Sequence, residues 1–205
     1  VKLLTVHTHG PGLIHTKQPV TGLESLRGMK IRGGTRIVNN MLVKLGASPV
    51  GMPVPAVTDA LAKGVLDGTT IPWEVAPSLK VHELVKNHTT FAGKNGLYVT
   101  TFALSMNKAA YNKLPADLKK VIDNTSGIET AALFGRAMDA GDKVGRDLAV
   151  KAGNKITELE AAEVQRWRRT AGSVEADWLS DMKAKNIDGA RLVLEARALI
   201  AKNEK

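Results

Sequence analysis

The chain has 205 residues, 43% of them apolar and 24% charged, proportions of a globular fold with no low-complexity tract or disordered linker. No stretch reaches the apolar length of a bilayer-spanning helix, and the absence of cysteine removes disulfides, thiolate nucleophiles and cysteine-ligated zinc. A formal charge of +9 and an isoelectric point near 9.8 invite an anionic partner, whether a small molecule, a membrane surface or nucleic acid.

Residues 2–7 read as a strand that ends at the turn-rich His9-Gly10-Pro11-Gly12. Thr21-Gly22-Leu23-Glu24 has the form of a capping box and predicts a short helix. Residues 29–32 form a short apolar strand ending in Arg32, followed at once by Gly33-Gly34-Thr35 and a helix over 35–45. That helix places Val38, Met41, Leu42 and Leu45 on one face and stops at Gly46. A strand over 49–52, a helix over 56–62 stopped by Gly64, and a return to the sheet over 65–68 come next. Residues 73–84 are helical in part, broken or begun at Pro77, and 97–106 is a long β-prone run.

From Pro115, which suits the first position of a helix, a helical stretch runs to about residue 151. Gly127, Gly135, Gly141 and Gly145 interrupt it, each weakening a helix by roughly 1 kcal/mol relative to alanine. A continuous helix there needs tertiary support, or it kinks; the same glycines allow a close approach to another part of the molecule. After 155–159, two further helices occupy 160–185 and 188–202. Strands alternating with helices predict an α/β fold with a largely parallel sheet.

Arg32 stands out because a strand, a glycine turn and a helix start meet there. A guanidinium is a planar fork matched to a carboxylate, and the N–H groups near Gly34 and Thr35 attract the same charge. Ligands of open α/β sheets collect at that edge. Arg36, one turn further, is expected in solvent. The basic cluster Arg166-Trp167-Arg168-Arg169 fits an amphipathic helix with Trp167 buried, and only three Trp, two Tyr and three Phe occur. Base-stacking platforms need more, so nucleic acid is not an expected partner. His7 and His9 share a strand face without a third metal ligand nearby, so no metal is expected; His82 and His88 are expected at the surface. No Ser-His-Asp order, nucleophile elbow or carboxylate pair appears, and the expectation is binding without catalysis or cofactor.

Several blocks occur in one order: Leu23-Glu24-Ser25-Leu26-Arg27-Gly28 before Arg32, Lys44-Leu45-Gly46-Ala47-Ser48-Pro49, Met52-Pro53-Val54-Pro55, and Asp59 to Gly68. This order resembles the solute-binding proteins of TRAP transporters, the tripartite ATP-independent periplasmic carriers, of the dicarboxylate-binding-subunit type. The likeness continues weakly through Asn112-Lys113-Leu114-Pro115-Ala116-Asp117-Leu118. It covers nearly the whole chain but begins well inside a family protein, whose opening third has no counterpart here.

The resemblance implies a periplasmic-binding-protein-like (type II-like) fold. One lobe would comprise residues 10–97 with about 138–165. A remnant of the other, with bridging and C-terminal helices, would comprise 1–9, about 98–137 and 166–205. It implies that Arg32 pairs with the carboxylate of a small organic acid, and that Val54 and the stretch Asp67 to Trp73 line the cleft. Ile71 falls where some relatives carry a polar amide, which suggests a more apolar ligand. Trp73 either lines the cleft or packs behind it, and His9 or His15 would donate a hydrogen bond to the ligand. A second ligand-binding arginine, which some relatives carry near Gly12, is missing. The implied setting is periplasmic, with TRAP membrane permease subunits as partners. The alternative is a non-transporting sensor or protein-interaction lobe of the same fold, prone to self-association through an incompletely covered surface.

Overall fold

The computed structural model describes residues 1–93 and 96–203; Lys94, Asn95, Glu204 and Lys205, which fall in the expected lobe ranges, lie outside the described residues. The fold is α/β, with a mostly parallel six-stranded sheet, a separate two-stranded ribbon and long helices. In chain order the elements are β1 (Lys2–Thr8), β2 (Leu13–Thr16), β3 (Lys30–Gly33), α1 (Arg36–Lys44), β4 (Ser48–Gly51), α2 (Val57–Ala62), β5 (Gly68–Ile71), α3 (Val81–Leu84) and β6 (Asn87–Phe91). They continue as β7 (Thr101–Met106), α4 (Lys108–Lys113), α5 (Ala116–Asn124), α6 (Ile128–Lys151), β8 (Lys155–Leu159), α7 (Ala161–Thr170), α8 (Ser173–Ala184) and α9 (Gly189–Asn203).

The six-stranded sheet has the order β4-β3-β5-β2-β6-β8. β3 pairs in parallel with β4 and β5, and β6 with β8, whereas β2 runs antiparallel to both of its neighbours. That central antiparallel strand corrects the expectation of simple strand–helix alternation. All four β2 residues are buried, and a strand covered on both faces shows no period-two pattern. β6 was equally hidden, because its buried residues include His88 and Thr89. The ribbon is β1 paired antiparallel with β7.

The core explains why the elements hold. Ile14, Leu26, Ile31, Leu42, Leu61, Leu66 and Ile71 are fully buried, each contributing about 1.5–3 kcal/mol of transfer free energy. α1 buries Val38 and Leu42 against the sheet. α7 buries Val164 and Trp167, with Trp167 edge-on to Phe91 at 5.6 Å. α8 is tied to α1 by ion pairs from Arg36 to Asp181 and from Lys44 to Asp177.

Several sequence expectations shift. The helix expected over 160–185 is two, α7 and α8, separated at Ala171-Gly172. The stretch from Pro115 breaks at Gly127, whose φ is +84° and whose N–H and carbonyl bond Leu4 O and Thr5 Oγ1 of β1. The expected return strand over 65–68 is mostly a turn, and the strand proper starts at Gly68. No capping box forms: a 3₁₀ turn spans Leu23–Leu26 with Gly22 at its start and no side-chain cap, while the Glu24 carboxylate pairs with Arg166 of α7. Arg36 is exposed, as expected, and is also ion-paired with Asp181.

Candidate functional site

Arg32 lies one residue from the end of β3, between Val50 of β4 and Thr69 of β5 in register. It is only 5% exposed. Its Nε donates to Met52 O at 3.1 Å, and its own carbonyl accepts from Thr70 Oγ1 at 3.1 Å. Burial pushes its pKa below the ordinary value, and Tyr98 nearby opposes that shift; an arginine nevertheless stays charged at neutral pH. No Asp or Glu among the described residues pairs with it. A buried cation without an anion is costly.

The next residues shape its surroundings. A Cβ placed on Gly34 would sit 3.2 Å from Arg32 Nη1, so any side chain there would crowd the guanidinium. Thr35 caps α1, its Oγ1 accepting from Val38 N at 3.2 Å. The hydroxyl's own hydrogen is not used by that cap.

Arg32, Gly34 and Thr35 share a cavity of about 140 Å³ with Val54, Ile71, Pro72, Glu74, Val75, Tyr98, Thr100, Phe102 and His9. Its walls are mainly apolar. Tyr98 donates its hydroxyl hydrogen to Thr70 O at 3.0 Å, so the ring is fixed by the strand neighbouring Arg32. Burial raises its pKa. His9 is buried with both ring nitrogens occupied: Nε2 accepts from Thr100 N at 3.1 Å, and Nδ1 bonds Gly10 O. With Nε2 an acceptor, the proton sits on Nδ1 and points at a carbonyl, so the expected donation from His9 to a ligand has no free N–H behind it.

Six of the eight residues singled out from sequence thus meet around one space: Arg32, Gly34, Thr35, Val54, Ile71 and His9. His15 and Trp73 do not. His15 is fully buried in β2, its Nε2 donating to Ile71 O at 3.1 Å and its Nδ1 facing His88 Nδ1 at 2.7 Å. His88 Nε2 in turn lies 3.0 Å from Asn154 Nδ2. One polarity satisfies the whole chain, with Asn154 donating to His88, His88 to His15, and His15 to the Ile71 carbonyl. His15 therefore has no donor to spare for a ligand. Trp73 packs its ring on both imidazoles at 5.0 and 4.9 Å, behind the cavity rather than in it. His88 is fully buried and His82 partly so, against the surface placement expected for both.

Five lining residues escaped the sequence reading of the site: Glu74, Val75, Tyr98, Thr100 and Phe102. The last three sit at i, i+2 and i+4 and so share one face of an extended run. That alternation was the available signal; what the sequence lacked was the pairing that carries the run to β1.

The family model for bacterial extracellular solute-binding protein, family 7 (DctP), matches residues 1–181, and the chain belongs to that family, the TRAP solute-binding proteins. A solute-binding protein of Albidiferax ferrireducens is 32% identical over 190 residues, which are 91% of this chain and 54% of that protein. A crystal structure of a TRAP solute-binding protein from Rhodoferax ferrireducens, in complex with copurified benzoate, has a TM-score of 0.95 at 50% identity and covers 98% of this chain and 63% of its own. Another, from a marine metagenome and specific for aromatic acid ligands, in complex with metahydroxyphenylacetate, has a TM-score of 0.96 at 46% identity, covering 100% and 64%. The chain thus spans about half the length of that curated relative and under two thirds of those structures. No helix among the described residues is long and apolar enough to cross a membrane.

Proposed function

We propose that this chain binds a small aromatic monocarboxylic acid in the periplasm for delivery to TRAP membrane permease subunits, without chemistry on the ligand. The observation that carries the reading is the buried, unpaired Arg32 facing a mainly apolar cavity with two aromatic walls, Tyr98 and Phe102. The acid's carboxylate takes the guanidinium, and its ring lies among Val54, Ile71, Tyr98 and Phe102. The benzoate and hydroxyphenylacetate held by relatives at 50% and 46% identity are acids of that kind. Arg32 and Ile71 come from the large sheet and Phe102 from the ribbon, which supports reading the cavity as the cleft between the two lobes expected from the sequence. Their closure over the acid removes water and strengthens the ion pair.

Isothermal titration calorimetry with benzoate, mandelate and malonate tests the reading. Arg32→Ala should weaken benzoate binding about a hundredfold or more, since charge-assisted hydrogen bonds contribute roughly 1.5–3 kcal/mol each. An unchanged dissociation constant would remove Arg32 from the site. The second reading, a protein-interaction lobe, draws on the exposed Leu3, Val6 and Leu104 of the ribbon.

A further inference from the structure

We propose that Glu74 sets the charge selectivity of this cavity, admitting monoanions and turning away dianions. The inference rests on the carboxylate-binding reading above and names a determinant of its specificity. Glu74 belongs to the 3₁₀ turn Trp73–Val75, directly after β5, and lines the same space as Arg32. Its backbone N–H donates to Asp142 Oδ1 of α6 at 2.8 Å. A Cβ built on Gly141 of the same helix would come within 2.9 Å of the Glu74 Cβ. The helix therefore seats this residue at its backbone and Cβ.

No cation among the described residues pairs with the Glu74 carboxyl. Burial raises its pKa and the neighbouring Asp142 raises it further. Asp142 itself is raised by burial and by Asp139, and lowered by its bond to the Glu74 N–H and by His9. The cavity is thus electrically polarised, with Arg32 at one place and the Glu74 carboxyl, which has no cation partner among the described residues, at another. A ligand with one carboxylate satisfies Arg32 and offers Glu74 either a hydroxyl hydrogen or apolar surface. A ligand with two carboxylates, held by Arg32 through the first, brings the second into a low-dielectric space containing Glu74 and no second cation. Like charges there repel far more strongly than in water.

The test is calorimetry at near-neutral pH on the full chain, comparing benzoate with isophthalate, which adds a second carboxylate to the same ring. The wild type should favour benzoate. Glu74→Gln, close in shape but uncharged, should tighten isophthalate about tenfold more than benzoate, a shift of about 1.4 kcal/mol in their difference. Glu74→Asp should keep the wild-type preference, which a merely structural role would not predict. A benzoate-to-isophthalate ratio that stays within about twofold in Glu74→Gln would overturn the proposal. If Arg32→Ala still abolishes benzoate binding in that case, the carboxylate site stands and only the role of Glu74 fails. A wild type that binds neither acid would sink both readings.

Discussion

At the scale of single residues, the molecule contrasts two ways of burying a polar group. The Arg32 guanidinium is left with one protein hydrogen bond and no counterion among the described residues, a costly state for a buried charge. The imidazoles of His15 and His88 are instead satisfied by each other, by Asn154 Nδ2 at one end and by the carbonyl of Ile71, a cavity residue, at the other. Such a network holds only while both imidazoles are neutral. Burial and then the proximity of His88 hold His15 down to about 3; burial, then His82 and Lys86, hold His88 down to about 4. In the unfolded chain both take up protons near the ordinary value of about 6.5. The unfolded state therefore binds more protons below that pH, and stability is full above it and declines as pH falls through about 4 and 3. Denaturant unfolding at pH steps from 7 to 5, above the range of most carboxylates, should show a loss of up to about 4 kcal/mol. Equal stability at both ends would mean that the imidazoles are not held neutral.

At the scale of elements, α6 is the member that fixes the site from behind. It packs against β1 near its start and against the Trp73–Val75 turn further along. The sequence showed four glycines in this region and left two outcomes open, a kink or tertiary support. Both occur, at different glycines: Gly127 breaks the chain, while Gly135, Gly141 and Gly145 lie inside one continuous helix of 24 residues. A Cβ on Gly145 would fall 2.0 Å from Trp73 O, whereas one on Gly135 would meet nothing within 4 Å. Gly135→Ala should accordingly stabilise the fold by about 0.5–1 kcal/mol through helix propensity alone. Gly145→Ala should destabilise it by roughly 1–3 kcal/mol, because the helix must move off the turn that carries Glu74. Chemical denaturation of the two variants decides; equal effects would show that α6 does not rest on Trp73 as closely as described.

At the scale of the whole molecule, the large sheet is well covered and the ribbon is not. Leu3, Val6, Phe102 and Leu104 are exposed on β1 and β7, and a two-stranded ribbon leaves both outer edges unpaired. Ile128 and Leu133 at the start of α6 are exposed as well. Surfaces of this kind promote association. Sedimentation equilibrium over rising concentration should show reversible self-association that Leu104→Lys reduces. A strict monomer across the micromolar range would show that the ribbon, with a net charge of +9 on the chain, tolerates solvent.

What was legible in the sequence was local. The amphipathic face of α1, its glycine stop, the strand ending at Arg32 and the composition of a globular α/β chain all follow from period and turn chemistry within a dozen residues. The placement of Arg32, Gly34 and Thr35 around one space follows from that short stretch too. The tertiary structure alone decided the rest. It inserted an antiparallel β2 into the middle of the sheet, buried His88 where a surface residue was expected, and brought Tyr98, Thr100 and Phe102 to an arginine more than sixty positions away. Strand pairing is a contact between distant segments, and the sequence of one strand carries little trace of its partner. The cation was therefore readable at its own position, while the walls and the opposing acid around it had to await the fold.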